Sequence, residues 1–271
     1  MSDAVLETRG LRKTFGGIVA TQDVSFGLTR GVRHALIGPN GAGKTTLVNL
    51  LTGVLAPSSG CILLEGKDIT ASSTHRRARK GLVRTFQINQ LFDSLTPLES
   101  VTLAIVEHNG GGARLWRPLA RSTVIAAEAA ALLARMHLAD VMQHPTATLP
   151  YGKRRLLEIA IALASKPRVL LLDEPVAGVP ATESREILET LAALPADVTV
   201  LLIEHDMDLV FRFATHISVL VNGAMLAEGT ADEIARDTRV RAVYLGDAVP
   251  HSVAASSASS VANSFPNPRD A

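Results

Sequence analysis

The sequence predicts an α/β fold, and three observations carry that prediction. A short run of mixed polarity at 32–37 ends in Gly38-Pro39-Asn40-Gly41 and is followed by a helix pattern over 44–51, the first half of a β-α-β unit. Apolar runs at 169–172, 198–203 and 217–221 have strand length and no polar alternation, which suits central parallel strands buried on both faces. Helix patterns at 182–194 and 206–213 separate those runs.

The remaining elements follow in chain order. Residues 6–13 and 24–28 read as strands, with Gly16-Gly17 as a turn between them. Further strands are expected at 61–64 and 82–85, with Glu65-Gly66-Lys67-Asp68 as turn chemistry. From 91 to 164 alanine, leucine and charged residues dominate, which predicts a helical subdomain. Its clearest helix spans 124–139; Asn109-Gly110-Gly111-Gly112 interrupts the region and Pro145 closes it. A second helix is expected over 154–164. The domain as a whole is expected over 5–247. The tail, 248–271, is rich in Ser, Ala, Asn and Pro and is expected to be disordered.

Composition narrows the function classes. The 271 residues are 47% hydrophobic and 20% charged, the balance of a folded chain. Lys plus Arg number 27 and Asp plus Glu 26, a net charge of +1 that carries no general footprint for nucleic acid. One cysteine, Cys61, excludes an intramolecular disulfide and a multi-cysteine zinc site, and fits a reducing cytosol. Mean hydropathy is high at +0.23, yet no apolar run reaches the roughly 18 residues of a membrane span. The N-terminus carries Asp3, Glu7 and Arg9 and no apolar signal core, so export is not expected. The basic cluster Arg76, Arg77, Arg79, Lys80 and Arg84 reads as a solvated helix face, with phospholipid or nucleic-acid contact as the alternative.

The chemistry concentrates at two places. Gly38-Pro39-Asn40-Gly41-Ala42-Gly43-Lys44-Thr45, followed by Thr46, matches G-x-x-x-x-G-K-[ST]. Glycines let successive backbone N–H groups turn inward as an anion nest, and the following helix points its positive end at the same spot. Lys44 is a mobile charge for β- and γ-phosphates, and the Thr45 hydroxyl can ligate magnesium. At the second place, four apolar strand residues end in Asp173-Glu174, at the carboxyl edge where α/β sheets bind ligands. Asp173 is expected to support magnesium through a water, and Glu174 to orient or deprotonate the attacking water. Adjacent carboxylates on one strand would point apart, which suits separate roles.

With these residues in order, the chain resembles the ATP-binding-cassette transporter ATPases over about residues 5–247. Thr85-Phe86-Gln87 looks like the family's glutamine loop, Leu149-Pro150-Tyr151-Gly152-Lys153 stands in the place of its signature, and Ile203-Glu204-His205-Asp206 looks like its switch-histidine segment. The resemblance implies a RecA-like P-loop core with a mixed, mainly parallel sheet, an antiparallel β subdomain and an inserted helical subdomain. It implies ATP and Mg2+ as cofactors and hydrolysis coupled to transport by dimerisation. It further implies that Gln87 completes the magnesium shell, that His205 bonds the γ-phosphate and water, and that Phe15 stacks on adenine. Arg84-Thr85-Phe86-Gln87, Leu91-Phe92 and the closing Tyr244-Leu245-Gly246 are most similar to the branched-chain amino-acid importers. That type implies a second, different ATPase, two membrane permeases and an external solute-binding protein, with this subunit peripheral at the cytoplasmic face of the inner membrane. Urea and short-chain amide importers share much of the pattern, and a soluble non-transport cassette ATPase or a P-loop kinase are the rival classes.

Departures from the family pattern fall on surfaces that would complete a partner's site. Pro150 replaces the signature serine, Lys153 replaces its glutamine, and Val179 is followed by Pro180 where the family often carries an aspartate. Proline cannot donate a hydrogen bond. The expectation is one weakened and one strong ATP site, with the backbone N–H of Gly152 as a substitute donor.

Overall fold

The computed structural model describes residues 4–85, 91–110 and 123–245. Two sheets form the frame. Strands β1 (Ala4–Phe15), β2 (Ile18–Thr29), β4 (Ser59–Leu64) and β5 (Lys67–Asp68) make an antiparallel sheet in the order β2-β1-β4-β5. Strands β3 (Arg33–Ile37), β6 (Leu82–Arg84), β7 (Val169–Asp173), β8 (Thr199–Ile203), β9 (His216–Val221) and β10 (Ala224–Thr230) make the core sheet, ordered β10-β9-β3-β8-β7-β6. All its pairings are parallel except β9 with β10. The mixed, mainly parallel sheet, the antiparallel subdomain and the helical insertion are therefore present as expected.

The apolar runs of β7 and β8 are explained by cores on both faces. Leu170, Leu172, Val200 and Leu202 face one cluster with Leu156, Ile159 and Leu133 from the helices. Val169, Leu171, Leu201 and Ile203 face the other, with Leu47 and Leu51 of helix α1 (Lys44–Thr52) and Leu6, Leu11 and Phe26 of the antiparallel sheet. Because alternate side chains serve opposite cores, every position in these strands is buried.

The helical region holds α3 (Pro97–His108), α4 (Thr123–Arg135) and α5 (Tyr151–Ala164), after the short α2 (Thr74–Arg79). Thr96 and Glu99 form a reciprocal capping box at the start of α3. Helix α4 ends at Arg135, four residues earlier than its composition predicts. His137 takes the left-handed conformation at φ 54°, and Leu138 N–H returns to Leu133 O at 2.9 Å. This is a Schellman-type stop with histidine where glycine is usual, so the composition carries no mark of it. Conversely, α5 begins at Tyr151, three residues before the expected start, with Pro150 as its N-cap. After β7 come α6 (Ala181–Ala192), α7 (Met207–Phe213), α8 (Ala231–Arg236) and α9 (Thr238–Leu245).

The basic cluster is not one solvated face. Arg76, Arg79 and Lys80 are exposed, but Arg77 is buried and donates to the carbonyls of Leu50, Leu51, Thr70 and Ser72. Arg84 is also drawn inward and pairs with Asp173. Carbonyls at the end of α1 and at Thr70 and Ser72, and a buried carboxylate, outcompete water for these two guanidinium groups.

Candidate functional site

The phosphate loop joins β3 to α1 and is wedged between the two sheets. Gly43 has φ 100°, and a Cβ there would stand 2.5 Å from Ala20 O; one at Gly38 would stand 2.2 Å from Leu220 O. Both positions need glycine because neighbouring backbone leaves no room for a methyl group. Helix α1 has no side-chain cap and no acidic residue in its first turn. No acid of its own first turn offsets its positive N-terminal end, which opens into a cavity of about 470 Å3. Asn40, Gly41, Ala42, Gly43, Lys44, Thr45, Thr46 and Glu174 line that cavity, with Ile18, Val19 and Ala20 from β2.

Lys44 Nζ donates to Gly38 O at 2.6 Å and Pro39 O at 3.1 Å. Burial holds its pKa below the usual lysine value, opposed by the charges of Glu174 and Asp173. Asp173 ends β7, buried, with Oδ2 accepting from Arg84 at 2.5 Å. Glu174 has left the strand: its φ is 45° and its N–H bonds Ile203 O at 2.9 Å. The separation of the two carboxylates thus comes from a left-handed residue at the strand end rather than from strand alternation. Glu174 Oε1 lies 3.6 Å from His205 Nδ1, so β7 and β8 deliver these two groups to one place.

Two contributors escaped the sequence reading. Glu204 is buried, takes the His205 N–H on Oε2 at 3.1 Å, and has its pKa raised by burial. Arg155 donates to the carbonyls of Pro175, Asp173 and Glu174 at 3.0, 3.0 and 3.1 Å, and pairs with Glu158 at 2.5 Å. An arginine with a glutamate three residues on, beside the apolar Leu156, Leu157 and Ile159, is the signal that marks it.

Other expected residues stand apart from the cavity. Phe15 lies at the β1–β2 turn with Lys13 Nζ 5.2 Å from its ring centre, beside the lining residues of β2 but not in the wall. Gln87 lies outside the described residues. Leu149, Pro150, Tyr151, Gly152 and Lys153 do not line this cavity. Within their own chain they are already engaged: Leu149 is buried, and Tyr151 Oη donates to Ala177 O at 3.3 Å. Lys153 Nζ donates to His137 O at 2.6 Å and lies 3.3 Å from Glu186. Gly152 N–H donates to Glu183 Oε2 at 2.8 Å, so the substitute donor expected for the missing serine is taken.

A glycine-clamped loop, an open helix N-terminus, Lys44, and a strand-end acid facing a histidine come together in one part of the fold. The family model described as "ABC transporter" matches residues 21–177. The chain belongs to the ABC transporter ATPases. A second family model, "Branched-chain amino acid ATP-binding cassette transporter", matches residues 224–250. The chain is 42% identical over 255 residues to the high-affinity branched-chain amino acid transport ATP-binding protein BraF of Pseudomonas aeruginosa, covering 92% of this chain and 100% of that one. It is 38% identical over 257 residues to LivG of Salmonella typhimurium, with the same coverage. The fold is similar to the ADP conformation of an ATP-binding cassette of an ABC transporter, with TM-score 0.79, 31% identity, and 91% and 100% of the two chains covered. As an ABC transporter ATPase this chain binds nucleotide and hydrolyses ATP, and the family implies membrane permease partners. Among the described residues no helix is long and apolar enough to cross a membrane.

Proposed function

We propose that this ABC ATPase powers an importer of branched-chain amino acids, peripheral at the cytoplasmic face of the inner membrane. Its partners in this reading are a second, different ATPase, two permeases and an external solute-binding protein. The names of the relatives support the solute class. The observation that carries the catalytic assignment is the meeting of Lys44, Thr45 and Glu174 around one cavity at the N-terminus of α1.

In the reaction, water attacks the γ-phosphorus, the bond to the β–γ bridging oxygen breaks, and ADP and phosphate leave. Backbone N–H groups of the loop and the end of α1 hold the phosphates, and Lys44 moves from the Gly38 and Pro39 carbonyls to the β- and γ-oxygens. Glu174 orients the water and takes its proton, while His205 bonds the γ-phosphate and water. Phe15 stacks on adenine beside the cavity.

Among the described residues no group of three His, Cys, Asp or Glu forms a metal cage. One hydroxyl and one carboxylate at a phosphate site suit magnesium, which keeps waters and phosphate oxygens as its main ligands. Thr45, Asp173 (through water) and Gln87 are the residues that would hold it, and its charge would neutralise the phosphates.

The signature segment serves the partner's ATP. Pro150 lacks the hydroxyl, and Gly152 N–H is bonded to Glu183, so that site is the weaker of two by about 1.5–3 kcal/mol, or one to two decades. Reconstitution with the permeases, the second ATPase and the binding protein tests the whole reading. ATP-dependent uptake of leucine, isoleucine or valine, lost with Lys44→Ala, is expected. Uptake of urea or short amides instead would reassign the solute, and phosphate release indifferent to Lys44→Ala would overturn the site.

A further inference from the structure

The guanidinium of Arg84 spans two elements of the site. One nitrogen, Nη1, donates to Asn49 Oδ1 at 2.8 Å; the other, Nη2, donates to Asp173 Oδ2 at 2.5 Å. The side chains of Arg84 and Asp173 are only 13% and 6% exposed. Asn49 stands four residues after Thr45 on α1, one turn further along the same face. The arginine therefore braces the helix that carries the Thr45 hydroxyl against the strand that ends in Asp173. A buried carboxylate needs a counter-charge, and a planar fork also fixes direction, which a lysine point charge does not.

We propose that Arg84 is a positioning residue for the magnesium side of the site, holding Asp173 by Oδ2 and setting its separation from Thr45. Oδ2 is committed to Arg84, so Oδ1 would be the oxygen available to a metal shell. The inference rests on the assignment of Thr45 and Asp173 to magnesium given above.

The test is ADP binding by titration calorimetry, in EDTA and in excess magnesium, on the full chain. Wild type is compared with Arg84→Lys, Asn49→Leu and Asp173→Asn. The expected result is that Arg84→Lys and Asn49→Leu cut the magnesium enhancement of ADP affinity by about tenfold or more, with metal-free affinity held within about twofold, as for loss of an outer-shell partner. A merely structural arginine would lower both affinities by the same factor, and that result, or an unchanged enhancement, overturns the proposal. Asn49→Leu leaves the Arg84–Asp173 pair in place and carries the test if Arg84→Lys does not fold. Asp173→Asn separates the levels. An enhancement that survives it removes the magnesium assignment itself. An enhancement lost there but intact in the other two variants removes only the role of Arg84.

Discussion

Replacing Arg77 by methionine keeps most of the stem volume and deletes the guanidinium. Four donated bonds disappear, to Leu50 O and Leu51 O at 2.6 Å, Thr70 O at 2.7 Å and Ser72 O at 2.9 Å. Each charge-assisted bond is worth about 1.5–3 kcal/mol net, so their simple sum would be roughly 6–12 kcal/mol. Burial of the charge takes back part of this, as its lowered pKa indicates, with desolvation the leading cause. Leu50 O also keeps the Gly53 N–H. A net loss of about 3–5 kcal/mol is expected, a large share of a domain's stability. In urea unfolding of the purified chain, this is a midpoint shift of about 1 M or more with unchanged slope. Arg77→Lys keeps the charge but cannot reach four divergent carbonyls, and is expected to lose roughly half as much. A midpoint within about 0.3 M of wild type for Arg77→Met would refute the reasoning.

Glu174→Gln should lower turnover of the assembled transporter by about 10²–10⁴-fold while nucleotide still binds, and should do more damage than the equivalent change in the partner ATPase; phosphate-release rates decide, and the reverse order sinks the asymmetry. His34 is buried against Ser218 at 2.7 Å, and burial, then His216, pull its pKa down to about 4. The folded state thus refuses a proton that the unfolded chain accepts below about 6.5, so stability is full above that pH and falls as pH drops toward 4. A loss of about 2 kcal/mol between pH 7 and pH 5 is expected from this group, and His34→Gln should remove that slope in parallel denaturant titrations. Glu204 shows the opposite sign: its raised pKa means that ionising it in the fold costs stability as pH rises past the ordinary glutamate value. Glu204→Gln should therefore raise the melting temperature at neutral pH more than at pH 4.5, and an equal shift at both would count against a charged, buried carboxylate.

Much of the site was legible because phosphate chemistry demands particular residue types at fixed spacing. Gly38 to Thr45, Asp173, Glu174 and His205 could be named as candidates from one chain, and the buried strands announced themselves by apolar runs. What stayed hidden depends on contacts distant in sequence. Arg77 and Arg84 look alike in a basic stretch, and only the carbonyls of α1 and the Asp173 carboxylate separate them from their exposed neighbours. The end of α4 was missed because His137 does the work of glycine. The engagement of Gly152 by Glu183, thirty-one residues on, has no local mark at all.

The crowding at Gly38 and Gly43 gives the loop a second duty. It is the bolt where the antiparallel layer, through Ala20, and the core layer, through Leu220, are fastened to one another. A methyl group at Gly43 would push the loop off the antiparallel layer, and one at Gly38 off the core layer, before any anion arrived. Weak nucleotide affinity in such variants would then report a sprung joint in the framework rather than a lost phosphate contact, and unfolding measurements must accompany the binding curves.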